Sequence, residues 1–245
     1  MPRFYQSVTT DIVIFTIENE ELKVLLIKRV KDPFKNQWAL PGGFLLKKED
    51  PEKAAKRVLK DKAGIENVYL EQLYTFAGSG RDPRGNVITI SYFALTPRNK
   101  IEIKETKEIH PVRSSLAEVL RTRALGASET SYGIQTPTFR SVKKLPDIAF
   151  DHNRIISYAL KRLQSKLEYT NVVYSLLSKY FTFNQLQNAY EVILGIKLDK
   201  RNFRKKFLIL GLIRPTNKIL KGERQRPAKL YQFISRKPTE LKKFF

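Results

Sequence analysis

A chain of 245 residues, 42% of them hydrophobic, can bury one large core or two smaller ones, and two domains is the expectation for this length. It has no cysteine, which excludes disulfides, thiolate metal sites and a cysteine nucleophile; its two histidines, His110 and His152, stand far apart and are read as packing or surface residues. The net charge of +22 is concentrated late in the chain: residues 151–245 hold 21 Lys and Arg against 6 Asp and Glu, compared with 25 against 18 in residues 1–150, a distribution that suits a polyanionic partner.

The opening stretch MPRFYQSVTTDIVIFTIENEE carries only the short apolar run IVIFTI and soon turns acidic, so it lacks the hydrophobic region of a secretory signal. No run approaches the length of a membrane span, and a cytoplasmic protein without membrane association is expected. Residues 8–17 and 22–30 are apolar, β-branched runs around the turn-like ENEE and read as a hairpin. The loop KDPFKNQ then leads into Trp38 and the stretch WALPGGFLLKKEDPEKAAKRVLKDKAGI, in which two glycines end a strand and a helix follows. Asp50 suits its N-cap, Pro51 its first position and Gly64 its stop, with Ala54, Ala55, Val58 and Leu59 on the buried side.

Within that stretch Glu49 follows Gly43 after five intervening residues and Arg57 follows after seven more, with Gly64 and Ile65 closing the segment. This G-x5-E-x7-R framework resembles the Nudix box, the loop-helix-loop that holds Mg²⁺ against a nucleoside diphosphate. An active box would carry glutamates at positions 58, 61 and 62, which share one helix face because i, i+3 and i+4 are neighbours. Here they are Val58, Asp61 and Lys62. An ammonium about 4 Å from a divalent ion, at an effective dielectric of about 20, opposes its binding by roughly 8 kcal/mol. The resemblance therefore implies a Nudix fold without the metal site and without a catalytic residue. Two readings of Lys62 stand open: a lysine turned to solvent or paired with Glu49 or Glu66, or one that contacts or neutralises the effector's diphosphate in the metal's place with Arg81 and Arg84 assisting.

Two further strands, VYLEQLYTF and NVITISYFALTP, flank the loop AGSGRDPRG. Its Arg81 and Arg84 could grip phosphate or ribose oxygens with forked geometry, or form a charged turn held by Asp82. Residues 100–140 suggest a strand, a short helix and a mobile loop, with no functional reading. From LPDIAFDHNRIISYALKRLQSKLEY the pattern is helical, with Ile155, Ile156, Ala159, Leu160, Leu163 and Leu167 at helical spacing and Asp151 at the cap; this helix is expected to end the first domain.

The remainder reads as helix (TNVVYSLLSKY), helix (FNQLQNAYEVILG), turn (IKL), helix (DKRNFRKKFLILG) and two strands around a basic loop, the order of a winged helix-turn-helix. In the third helix Phe203, Phe207, Leu208 and Leu210 are expected inside. Lys200, Arg201, Asn202, Arg204 and Lys205 are left for DNA, with Lys221, Arg224 and Arg226 on the wing. The alternative is a solvated cationic helix.

Together the stretches ELKVLLIKR, PFKNQWALPGGF, VYLEQLYTFAG, RDPRGNVI, LPDIAFDHNRIISYALKRLQSKLEYT and FTFNQLQNAYEVILGIKLDKRNFRKKFLILGLI resemble the Nudix-related transcriptional regulators of the NrtR family. The resemblance implies an α+β chain: a Nudix α/β/α sandwich over residues 1–168 that senses an effector, and a winged helix-turn-helix over 169–245 that binds DNA. It implies a homodimeric repressor of NAD-metabolism genes on a palindromic double-stranded operator, with ADP-ribose or a related nucleotide sugar as effector and no cofactor. Arg29, Trp38, Gly43, Phe44, Lys62, Arg81 and Arg84 are the expected effector residues. Two other readings stand beside it: an active Nudix pyrophosphatase of the ADP-ribose type with a basic accessory domain, and an RNA-binding protein on a relic Nudix fold.

Overall fold

The computed structural model describes residues 7–101, 137–220 and 227–241. The chain opens with β1 (Ser7–Glu18) and β2 (Glu21–Lys28), antiparallel from Phe15 opposite Val24 to Glu18 opposite Glu21, as the two apolar runs imply. Short strands β3 (Trp38–Ala39) and β4 (Gly42–Phe44) deliver the box helix α1 (Pro51–Ala63). That helix begins and ends where its caps dictate: Lys53 N–H donates to Asp50 Oδ1 at 2.8 Å, and Gly64 closes it at φ 63°, its N–H reaching Lys60 O at 3.0 Å.

Next come β5 (Tyr69–Phe76), β6 (Val87–Leu95) and β7 (Thr138–Ser141). The sheet runs β3-β2-β1-β6-β5, with β4 also on β1, β7 also on β2, and β1 parallel to β6. Alternation along β1 sorts its side chains onto two faces. Ile12 and Ile14 meet Ala55, Val58, Leu59 and Ala63 of α1, whereas Val13 and Phe15 join the cluster of Ile155, Ile156 and Ala159 from α2 (His152–Tyr169). A helix on each side of a central sheet is the expected sandwich.

Helix α2 does not end at that sheet. Its Leu163 and Leu167 belong to one continuous apolar cluster that runs on through Leu186, Tyr190, Phe203, Phe207 and Phe233, and Gln164 Nε2 donates to Ile193 O at 2.8 Å. The last unit is β8 (Phe181–Thr182), α3 (Phe183–Leu194), α4 (Lys200–Ile209), β9 (Ile213–Leu220) and β10 (Ala228–Phe233), its sheet ordered β8-β10-β9. Thr182 and Gln185 form a reciprocal capping box at the start of α3.

Three expectations need correction. The helix read into TNVVYSLLSKY is only a 3₁₀ turn over Val172–Ser175. Val172, Val173, Tyr174, Leu176 and Leu177 are all buried, so the run has no solvent face, and its carbonyls are met from outside: Arg236 donates to Tyr174 O (2.6 Å), Leu177 O (2.8 Å) and Ser178 O (3.3 Å). Asp151 does not cap α2 with its side chain, because its carboxylate is taken by Arg81. Leu208 is 47% exposed, since the inward face of α4 is the i, i+4 pair Phe203 and Phe207; Leu210 is half-buried. The expectations for residues 102–136, including His110, lie outside the described residues, as do those for Lys221, Arg224 and Arg226.

Candidate functional sites

The site at the box is built around Asp11, a buried carboxylate on β1. β4 pairs antiparallel with β1 and sets Gly42 opposite Asp11: a Cβ on Gly42 would stand 2.1 Å from Asp11 Oδ1 and 2.9 Å from Thr10 O, so only glycine allows this approach. Gly43 is less constrained, a Cβ there meeting Val58 Cγ2 at 3.4 Å. After the glycines, Arg57 fixes the loop. It grips both oxygens of Glu49 (Nε to Oε1 2.7 Å, a terminal nitrogen to Oε2 2.8 Å) and also reaches Phe44 O at 3.0 Å, while Leu46 N–H donates to Glu49 Oε2 at 2.9 Å. These bonds hold the Glu49 carboxyl below its ordinary pKa, the Arg57 side chain being the largest cause.

The box residues do not fit a divalent cation. Val58 is buried and apolar, the oxygens of Glu49 are occupied by Arg57 and Leu46, and Lys62 donates to Gly42 O at 2.5 Å, which puts an ammonium where a hard ion needs oxygen ligands. Only the Asp61 carboxylate remains at the three positions. Lys62 takes neither partner that its sequence neighbours offered, since Glu49 pairs with Arg57 and Glu66 with Lys60 at 2.7 Å. Burial pushes the Lys62 pKa down; Asp11 and Asp61 oppose that shift, and Arg29 and Arg57 reinforce it.

Beside this lies a stack of guanidiniums and rings. Arg29 sits 4.7 Å from the ring of Phe150, and Arg84 lies 5.1 Å from Phe44 and 5.4 Å from Phe150. Phe150 holds this place at φ 60°, a left-handed conformation that a bulky residue adopts only when its surroundings impose it. Phe34 packs edge-on against it at 4.8 Å, and the His152 ring lies 5.2 Å away. Trp38 stands apart from this stack, half-buried, with Arg140 5.0 Å from its ring.

The two arginines of the β5–β6 loop differ from the open fork that the sequence suggested. Arg84 binds Asp82 twice (2.9 and 2.6 Å), the held-turn alternative, yet its side chain keeps a solvent face beside Phe44, itself 45% exposed. Arg81 has a side chain only 7% exposed and is engaged on every side: Asp151 at 3.2 and 2.8 Å, Val87 O at 3.2 Å and Asp11 at 3.7 Å. It joins β1, the loop and the start of α2. Asp11 and Phe150 escape the sequence reading, and Asp151 reads there only as a helix cap, because each acquires its role from partners tens of residues away.

His152 is buried; its Nδ1 accepts from Leu40 N–H at 3.0 Å and its Nε2 lies 3.7 Å from Asp11 Oδ1. Burial lowers its pKa, with Arg81 and Arg29 adding to the shift and Asp11 and Asp151 opposing it. The unfolded imidazole, at about 6.5, then binds more protons than the folded one, so the stability contributed by the neutral form is present above about pH 6.5 and is lost as pH falls. Unfolding free energies from urea titrations are expected to fall from about pH 7.5 to 5.5, by up to about 1.4 kcal/mol per pH unit. His152→Gln, which cannot titrate, should flatten that slope.

A cavity of about 440 Å³ lies elsewhere, between α1 and the start of β5, lined by Lys56, Arg57, Leu59, Lys60, Ile65 and Val68 among others. None of the expected effector residues lines it.

At the other end of the molecule, Asp199 caps α4 by accepting from Asn202 N–H at 2.8 Å, and Lys200, Arg201, Asn202 and Lys205 are exposed along its first turns. Arg204 is exposed as well, and it also reaches the wing: it donates to the Tyr231 hydroxyl at 2.9 Å and lies 5.0 Å from the Phe183 ring. Lys218 on β9, not singled out in the sequence, stands 4.1 Å from the Tyr180 ring.

Comparison with known proteins matches residues 8–132 to the NUDIX domain and residues 173–233 to the NrtR DNA-binding winged helix domain. The chain is 37% identical over 227 residues to the ADPR responsive transcriptional repressor NtrR of Acinetobacter baylyi, covering 92% of this chain and 81% of that protein. It is 30% identical over 140 residues to an ADP-ribose pyrophosphatase of Methanocaldococcus jannaschii, covering 57% of this chain and 67% of the other. Among solved structures it is similar to Shewanella oneidensis NrtR complexed with a 27mer DNA, with 31% identity, TM-score 0.72 and coverage of 92% and 93% of the two chains.

Proposed function

The chain belongs to the NrtR family, Nudix-domain transcriptional regulators with a DNA-binding winged helix, and from that premise we propose that it is a homodimeric repressor whose Nudix unit binds ADP-ribose or a related nucleotide sugar without cutting it. The observation that carries the reading is the pairing of an exposed basic row on α4 with a box whose metal positions hold Val58 and Lys62. Residues 1–168 form the effector unit and 169–245 the DNA unit, with α2 as their shared joint. One end of α2 is fastened through Asp151 to Arg81, and the other is built into the winged-helix core. An effector that alters the Arg81 end can therefore bias the DNA end, provided it binds the two dimer states unequally. A dimer follows from the modest contact area of a single winged helix, since two half-sites supply the contacts that specific binding needs.

Fluorescence anisotropy with the intergenic duplex beside the protein's own gene, against a scrambled duplex, tests the regulator. Specific binding should exceed random binding by about 10³-fold or more. Arg201→Ala should lower operator affinity by about 1–3 kcal/mol. ADP-ribose and operator should weaken each other's binding by one common factor. Equal affinity for both duplexes, or a preference for single strands, would overturn the reading. Similarity to a pyrophosphatase favours a second one, residual hydrolysis, which would appear as Mg²⁺-dependent turnover of ADP-ribose.

A further inference from the structure

The box site holds two cations that no carboxylate neutralises within ion-pair distance among the described residues. Lys62 spends one of its three N–H bonds on Gly42 O. Arg29 donates only to the backbone, from Nε to Pro33 O at 2.7 Å and from one terminal nitrogen to Lys31 O at 3.2 Å. Its neighbours are otherwise paired off: Arg57 with Glu49, Arg81 with Asp151, Arg84 with Asp82. Burial is the largest cause pushing both Lys62 and Arg29 below their ordinary pKa values; Arg84 adds to the shift of Arg29 and Arg29 to that of Lys62, while Asp11 opposes both. Charged groups withdrawn from water and fixed on carbonyl dipoles are costly unless something offsets them. An anion with several oxygens offsets both at once.

We infer that Lys62 and Arg29 form a metal-free diphosphate subsite, the lysine ammonium standing in for the divalent cation that the box would otherwise hold. The inference rests on the proposed effector reading and adds to it the residues and the charge state of the ligand. The two cations match a diphosphate better than a monophosphate: it offers non-bridging oxygens on two phosphorus atoms, one set for the compact ammonium and one for the planar guanidinium. Phe44 and Phe150, with Arg84 between them, lie on the flank where the organic part of a nucleotide would continue. The remaining N–H bonds of Lys62 and the second terminal nitrogen of Arg29 are the donors available to it. Arg81, buried against Asp151, positions α2 and takes no part in this contact.

Calorimetric titration of the full chain with ADP-ribose, adenosine and inorganic pyrophosphate, each in EDTA and in Mg²⁺, tests the subsite. Wild type should bind ADP-ribose and pyrophosphate equally well with and without metal, and adenosine more weakly. Lys62→Met, which keeps the length and removes the charge, should lose about ten- to hundredfold in affinity for both phosphates in EDTA. Lys62→Glu should bind neither in EDTA and regain ADP-ribose binding in Mg²⁺, because it restores a carboxylate beside Asp61. Retained operator binding shows that each variant is folded. Wild-type binding that vanishes in EDTA, or Lys62→Met affinity equal to wild type, overturns the inference. Should ADP-ribose fail to bind in either condition while pyrophosphate binds through Lys62, the diphosphate subsite stands and the choice of effector falls; failure of both probes overturns the subsite.

Discussion

Arg81→Ala is expected to destabilise the protein by about 3–5 kcal/mol, the cost of removing one partner from a buried ion pair. The guanidinium is almost fully enclosed, pairs with the partly buried Asp151 at 2.8 Å and lies 3.7 Å from the buried Asp11; without it both carboxylates lose that cation. Asp151→Asn in the Arg81→Ala background should recover part of the loss, because the orphaned charge is then gone. Urea denaturation measures both. A cost below about 1 kcal/mol, with ADP-ribose affinity falling instead, would return Arg81 to the ligand-gripping role that its place in the RDPR loop suggests.

Phe207→Ala is expected to cost about 3–5 kcal/mol, the range for deleting a buried aromatic ring. The ring is fully buried and packs against Phe203 at 4.9 Å, Tyr190 at 5.4 Å and Phe183 at 6.4 Å. The informative part is where the loss is seen. Trp38, the single tryptophan, lies in the Nudix sheet, where it pairs with Ile148 and its carbonyl accepts from Ala149 N–H at 2.8 Å. Because the apolar cluster runs unbroken along α2 from the sheet to Phe207, Trp38 fluorescence and far-UV circular dichroism should shift together in the variant. A Trp38 transition that stays at its wild-type midpoint would show two units that unfold independently, and would remove α2 as the route between effector and DNA.

Several elements of this protein were settled by short-range sequence. The helix α1 carries its start and stop within its own fifteen residues, at Asp50 and Gly64, and the β1–β2 hairpin is written in two apolar, β-branched runs and a four-residue turn. The order of α3, α4 and the wing strands is equally local, since the cap residues Thr182 and Asp199 mark each helix start. Local signals of this kind act between residues a few positions apart, so they survive without knowledge of the fold. That Val58 and Lys62 stand where an active box is expected to carry glutamates is read from the sequence in the same way.

The tertiary structure decided what depends on distant partners. Residues 170–180 have a helix-like composition, yet Arg236 from the far end of the chain satisfies their carbonyls and leaves only a 3₁₀ turn. Helix α2 reads in sequence as the end of one domain, whereas its second half is core to the next, because a helix buried at both ends offers the same periodicity whichever partner covers it. The RDPR loop shows two similar arginines; packing made one a buried tether to Asp151 and left the other beside Phe44. A charge's role depends on which opposite charge the fold brings within reach and how much water it removes, and neither is encoded in spacing along the chain.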